Sequence, residues 1–148
     1  MLLIEKIFNP LGKFHHKRIF THVRNLDIDK IIDIGAHKGE FLVEMLKIKK
    51  VNSFYAFEPQ KNIFDDLNEK FSKNNRITLL NCAIDKEIAN KKLQINKLSM
   101  TSSLAEVNEK SLYFKLKNFL TSSKSNFVEE YVVQTNTVDN FFKDVNLE

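Results

Sequence analysis

Two apolar runs, each followed by a stripe at helical spacing, set the tightest limit on what this chain can fold into. Lys30-Ile31-Ile32-Asp33-Ile34-Gly35 is a short β-branched run closed by glycine, which predicts a buried strand and a turn. Phe41, Leu42, Met45 and Leu46 then recur on one helical face. The pattern repeats. Phe54-Tyr55-Ala56-Phe57 predicts a second strand, Glu58-Pro59 stops it, and Ile63, Phe64, Leu67 and Phe71 stripe a second helix with Pro59 at its start. After Asn74-Asn75, Ile77-Thr78-Leu79-Leu80 predicts a third strand. Strands that alternate with helices need crossover connections, so the reading is α/β with a parallel sheet covered on both faces.

The flanks differ in character. Pro10 and Gly12 interrupt the first stretch, and His16, Ile19, Phe20, Val23 and Leu26 share one helical face, so residues 1–29 read as a helical lead-in to a domain over 30–148. Beyond the third strand, Leu93 and Ile95 alternate with polar residues. So do Phe127, Glu129, Tyr131, Val133 and Thr135 with their neighbours, which predicts half-exposed antiparallel strands and a β-rich insertion. Between them lies the Ser/Thr-rich segment Ser99 to Ser103, after which Leu104 to Leu120 reads as a helix and Thr121 to Ser125 as a loop. Thr137 is placed to cap a short helix over Val138-Asp139-Asn140-Phe141-Phe142.

Composition removes several function classes. A length of 148 residues bounds the chain to one domain, and one cysteine, Cys82, excludes an internal disulfide framework and a Cys₂His₂ zinc site. The opening Met1-Leu2-Leu3-Ile4 turns charged at Glu5-Lys6, too early for a signal-peptide core, and no run is long enough for a membrane helix. The expectation is a cytoplasmic protein without a membrane span. Lys and Glu are interspersed throughout, so the net charge of +4 describes a mixed surface, and no nucleic-acid partner is expected. His15-His16 reads as helix surface, since adjacent residues do not share a helical face. Cys82 reads as a small buried residue.

Chemistry concentrates in Asp33-Ile34-Gly35-Ala36-His37-Lys38-Gly39-Glu40-Phe41, where a strand ends and a helix opens. Glycines 35 and 39 allow a tight turn and a close ligand, and the free N–H groups of the helix that follows are expected to face the same crevice. A phosphate-binding P-loop needs Gly-Lys-Ser/Thr, which His37-Lys38-Gly39-Glu40 does not supply. A dinucleotide site needs a second glycine where His37 stands, and Asp33 would repel a pyrophosphate. An acid at this position suits a cationic ligand. S-adenosylmethionine is one, carrying a sulfonium and an ammonium. The second acid, Glu58, ends the second strand, where adjacent parallel strands bring it beside the first loop to accept both ribose hydroxyls.

Taken in order, Asp33 to Phe41, Tyr55-Ala56-Phe57-Glu58-Pro59, Asn81-Cys82-Ala83-Ile84, Ser102-Ser103-Leu104 and Thr137 to Phe142 resemble the successive motifs of FkbM-type methyltransferases. The resemblance implies a Rossmann-like, S-adenosylmethionine-dependent fold with helices on both faces of its sheet, acting on hydroxyls of sugars or other small molecules. Carried over, it implies that Asp33, Gly35, Ala36 and Gly39 line the methionine end of the cofactor, with His37 a cofactor-binding residue of the same loop. Glu58, with Pro59 beside it, would hold the ribose, and Asn81 and Ala83 would lie near the adenine. His37 stands where the family usually has Asn, and Ser102 and Ser103 fall on a family element that is either substrate-facing or a plain turn. No catalytic base is identified. The family continues with a further strand where this chain reaches Leu147-Glu148, so the domain is expected to be incomplete, with its first strand at an open edge that invites pairing with another copy. The alternative is a non-catalytic relic or cofactor-binding module of the same fold.

Overall fold

The computed structural model describes residues 17–96, 102–103 and 127–143. Two sheets organise them. The first is parallel in the order β1-β2-β3, built from β1 (Lys30–Ile34), β2 (Ser53–Phe57) and β3 (Ile77–Leu80). Its register places Asp33 beside Ala56 and Ile34 beside Phe57, so the carboxyl ends of β1 and β2 finish level.

Helix α1 (17–23), α2 (Glu40–Met45) and α3 (Lys61–Phe71) cover one face of this sheet. Ile31, Phe54 and Ala56 point into that layer and meet Leu42 and Met45 of α2 and Leu67 and Phe71 of α3, with Ile19, Phe20 and Val23 of α1 packed at the margin. The shared side follows from strand order, since two successive right-handed crossovers advancing in one direction place both helices on the same face. Arg76 locks the layer from beneath. Its guanidinium donates to the carbonyls of Leu46 and Val51 at 2.9 Å each and lies 5.6 Å from the centroid of the Phe54 ring.

The opposite face is covered by α4 (Val138–Phe142), whose Phe141 and Phe142 rings meet Tyr55 and Phe57 edge-on at 4.9 to 6.0 Å. Thr137 caps α4 as its sequence predicts, accepting the Asn140 N–H at 3.0 Å. Cover stops short of β1. Ile32 and Ile34, on the α4 side, are 38% and 56% exposed, so the expected two-sided burial holds for β2 and not for β1, the edge strand of the described sheet.

The second sheet has the order β4-β7-β5-β6, with β4 (Ala83–Ile84), β5 (Asn90–Asn96), β6 (Ser102–Ser103) and β7 (Phe127–Asn136). Long β7 runs antiparallel to β5, as its alternation predicts, and parallel to β4, which alternation does not reveal. Val133 and Thr135 face inward, and the buried Thr135 hydroxyl accepts the Ala89 N–H at 2.9 Å beside the Glu87 carbonyl. Three further expectations change. The α1 stripe ends before Leu26, which is exposed. Pro59 precedes α3, whose N-cap is Gln60, because Glu58 holds the Gln60 N–H outside the helix. Ser102 and Ser103 form β6, while the readings for His15-His16, Leu104 to Leu120 and Thr121 to Ser125 lie outside the described residues.

Candidate functional site

The turn from β1 into α2 is built on three residues of positive φ, Gly35 at 84°, His37 at 47° and Gly39 at 73°. The two glycines are needed for different reasons. A Cβ on Gly39 would come within 2.7 Å of Phe71 and 2.8 Å of Leu67, so the turn lies hard against α3. A Cβ on Gly35 would meet nothing within 4 Å, which makes its outer side open space at the strand end. His37 holds a left-handed conformation uncommon for a residue with a side chain.

Glu58 explains how that conformation is kept. Its side chain is buried, and each carboxylate oxygen takes one backbone N–H at 2.8 Å, Oε2 from His37 and Oε1 from Gln60. One residue at the end of β2 therefore ties the loop after β1 to the loop before α3. Asn81, after β3, extends the tie by donating to the carbonyls of Glu58 at 2.8 Å and Pro59 at 3.2 Å. Lys70 of α3 donates to the Lys38 carbonyl at 2.9 Å.

The turn's backbone donors are engaged inside the protein. Gly35 and Ala36 N–H groups both reach the Phe57 carbonyl, at 2.9 and 3.0 Å, and the Gly39 N–H reaches the Ala36 carbonyl at 2.8 Å. With the His37 N–H on Glu58, four backbone donors of the turn itself are taken up inside the protein. The reason is packing: β1 and β2 end level, so the turn folds back onto the last carbonyl of β2 before α2 begins. Those four amides are not offered to a phosphate.

Two buried polar atoms stand without a hydrogen-bond partner among the described residues, Oδ2 of Asp33 and Nε2 of His37. Burial, with the nearby charge of Glu58 adding to it, pushes the Asp33 carboxyl from its ordinary 3.8 up to about 6. An acid held this way gains most from a cation. Beside the same strand ends lies an open cavity of about 660 Å³, lined among others by Pro59, Lys61, Asn62, Asn81, Tyr131 and Gln134. The structure thus brings together Asp33, Gly35, Ala36, His37, Gly39, Glu58, Pro59 and Asn81. Ala83 stands apart, packed with Leu93 and Val133 in the core of the second sheet. The partly buried Cys82 thiol is pushed up by burial. Sequence reasoning missed Gln60 and Lys70, whose contributions run through backbone groups that no motif records.

The sequence model of the methyltransferase FkbM domain matches residues 33–148. Among solved structures, the methyltransferase FkbM from Methylobacillus flagellatus KT is 24% identical, with a TM-score of 0.38 over 43% of this chain and 19% of that one. The methyltransferase domain of bacterial CtHen1-C is 17% identical, with a TM-score of 0.43 over 47% of this chain and 40% of that one. The aligned regions thus span less than half of either structure. No curated protein matches. The family match opens at Asp33 and takes in the whole turn, Glu58 and the Thr137-capped helix, and on that extent the chain belongs to the FkbM methyltransferase domain family.

Proposed function

We propose that the site binds S-adenosylmethionine and serves methyl transfer to a hydroxyl of a saccharide or other small molecule. The observation that carries this is Asp33: a buried carboxylate oxygen with no hydrogen-bond partner among the described residues, in the turn where the outer side of Gly35 is open. An ammonium matches that oxygen in both charge and hydrogen bonding, a stronger pairing than a neutral donor gives, and an anion would be repelled. The bound cofactor supplies an electrophilic methyl group for in-line displacement.

In this reading the chain's own residues orient and exclude. Asp33 accepts the ammonium, and Gly35 and Ala36 let the ligand approach the strand ends. Glu58 already takes one N–H on each oxygen, and the second acceptor position of each oxygen serves a ribose hydroxyl. Pro59, Asn81 and the adjoining cavity receive the adenine, with Ala83 a more distant support in the second sheet. Positioning of this kind supplies up to about 7 to 11 kcal/mol of a displacement barrier in ideal cases. The working unit is the domain over 30–148, acting in the cytoplasm, with the uncovered edge of β1 as the place where a second copy would pair. Titration calorimetry with S-adenosylhomocysteine tests the reading. Saturable binding that weakens at least tenfold in Asp33→Asn and in Glu58→Ala supports it, and a folded chain that shows no heat of binding refutes it.

A further inference from the structure

The net charge of the chain is not spread evenly along it. Residues 1–26 hold five basic residues, Lys6, Lys13, Lys17, Arg18 and Arg24, against one acid, Glu5, and so carry the whole excess of +4; the eighteen basic and eighteen acidic residues after them cancel. The described part of this stretch shows where the charge is displayed. Helix α1 turns Ile19, Phe20 and Val23 onto the core, which leaves Lys17 and Arg18 exposed on its outer side with exposed Arg24 just beyond. Lysines elsewhere are matched locally, Lys47 by Glu44, Lys91 by Asp85 and Glu87, and Lys92 by Glu130. Lys17, Arg18 and Arg24 have no ion-pair partner among the described residues. Lys50, which donates to the Leu26 carbonyl, brings itself and exposed Lys49 to the same patch, and Leu26 is 52% exposed within it. Of the acids that follow Leu26, Asp29 is paired with Lys30, which leaves Asp27 against five cations.

We propose that this face docks on an anionic lipid bilayer. Such a surface rewards cations that are not already cancelled, each contributing about fivefold in affinity, together with an apolar group that enters the headgroup boundary, here Leu26. The sequence ahead of α1 repeats the combination, with Leu2, Leu3, Ile4, Ile7, Phe8 and Phe14 set among Lys6 and Lys13. RNA is the poorer match, since bound bases stack on exposed aromatic faces and the aromatic ring of α1, Phe20, is packed against the core. The contact is with the surface of the bilayer, as no helix among the described residues is long and apolar enough to cross one. Leu26 and Lys50 precede β1 and β2, whereas the Gly35 turn follows β1, so a docked chain keeps the crevice at the carboxyl ends of its strands open. The inference does not depend on what that crevice binds.

Cosedimentation of the 148-residue chain with vesicles tests the proposal. The chain should pellet with vesicles of three parts phosphatidylcholine to one part phosphatidylglycerol, stay in solution with pure phosphatidylcholine, and come off the anionic vesicles as salt rises from about 0.1 M to about 0.5 M. No pelleting with anionic vesicles, or equal pelleting with neutral ones, overturns it, and this arm needs no variant. Replacing Lys17, Arg18 and Arg24 together by Gln should weaken binding about a hundredfold. The same charge change at the exposed Lys86, Lys92 and Lys143 should weaken it less than about threefold. Equal losses in the two triple variants mean attraction without a docking face and overturn the inference. Leu26→Ser should weaken binding about fivefold, and unchanged binding overturns it. A uridine oligonucleotide bound more tightly than the anionic vesicles, with the same loss in the first triple variant, assigns the patch to nucleic acid instead and also overturns it.

Discussion

Replacing Asp33 by Asn should make the ligand-free chain more stable at neutral pH, although it removes the group on which ligand binding rests. The carboxyl is raised from 3.8 to about 6, mainly by burial and further by Glu58. A pKa raised on folding means that the folded state holds its proton while the unfolded chain has lost it. Stability therefore falls as pH rises from about 4 to about 6 and stays at the lower level above that. The difference, 6 − 3.8, is about 2.2 units, which at 1.36 kcal/mol each corresponds to roughly 3 kcal/mol. Asn has nearly the shape of the protonated acid and does not titrate. The variant should match the parent near pH 3.5 and exceed it by an amount on the order of 3 kcal/mol at pH 7.5, a rise in Tm of about 6 to 12 °C for a domain of this size. Urea unfolding of both chains at half-unit steps between pH 3.5 and 8 measures the gap directly. A gap that stays flat across this range, or a variant less stable than the parent at pH 7.5, would refute the claim that Asp33 is held uncompensated.

The two glycines of the turn should part company on substitution. Gly39→Ala, driving a methyl against Phe71 and Leu67, should lower stability by about 2 to 4 kcal/mol by chemical denaturation, while Gly35→Ala should lose only about 1 to 2 kcal/mol for its backbone and yet abolish S-adenosylhomocysteine binding by calorimetry. Glu58→Gln replaces one acceptor by a donor that faces a backbone N–H. It should lower stability by about 2 kcal/mol and speed amide exchange at His37 or Gln60, whichever loses its partner, as read by NMR. Arg76→Ala should remove about 2 to 4 kcal/mol by urea unfolding, and Arg76→Lys should not restore it, because a single ammonium cannot reach the Leu46 and Val51 carbonyls together while stacking on Phe54.

Much of the α/β half is legible because buried parallel strands announce themselves as short β-branched or aromatic runs, and because Leu42, Met45, Leu67 and Phe71 repeat at the period of the helices that carry them. The Thr137 cap is legible for the same reason, since its partner lies only three residues away. Long-range pairing leaves no such mark. Nothing local in β7 tells that β4 lies alongside it in parallel, and nothing near Ala83 tells that it packs on Leu93 and Val133. At the site, side-chain identity reveals the acids and the glycines. It does not reveal that Phe57 and Ala36 carbonyls have taken the amides of Gly35, Ala36 and Gly39, because a backbone bond depends on where two strand ends stop rather than on which residues stand there.

Glu58 joins two loops that are separated along the chain by a helix and a strand, and this limits how the sequence can drift. An insertion or deletion between Gly35 and Gly39, or between Phe57 and Lys61, would pull one carboxylate oxygen off its amide and leave a buried charge half satisfied. Change in length is thus barred at both loops at once. Variation is channelled into side chains that those bonds leave alone, the His37 ring, the exposed Lys38 and the residues along the cavity wall. A lineage carrying this carboxylate would diversify what it accepts by swapping side chains on a frozen backbone.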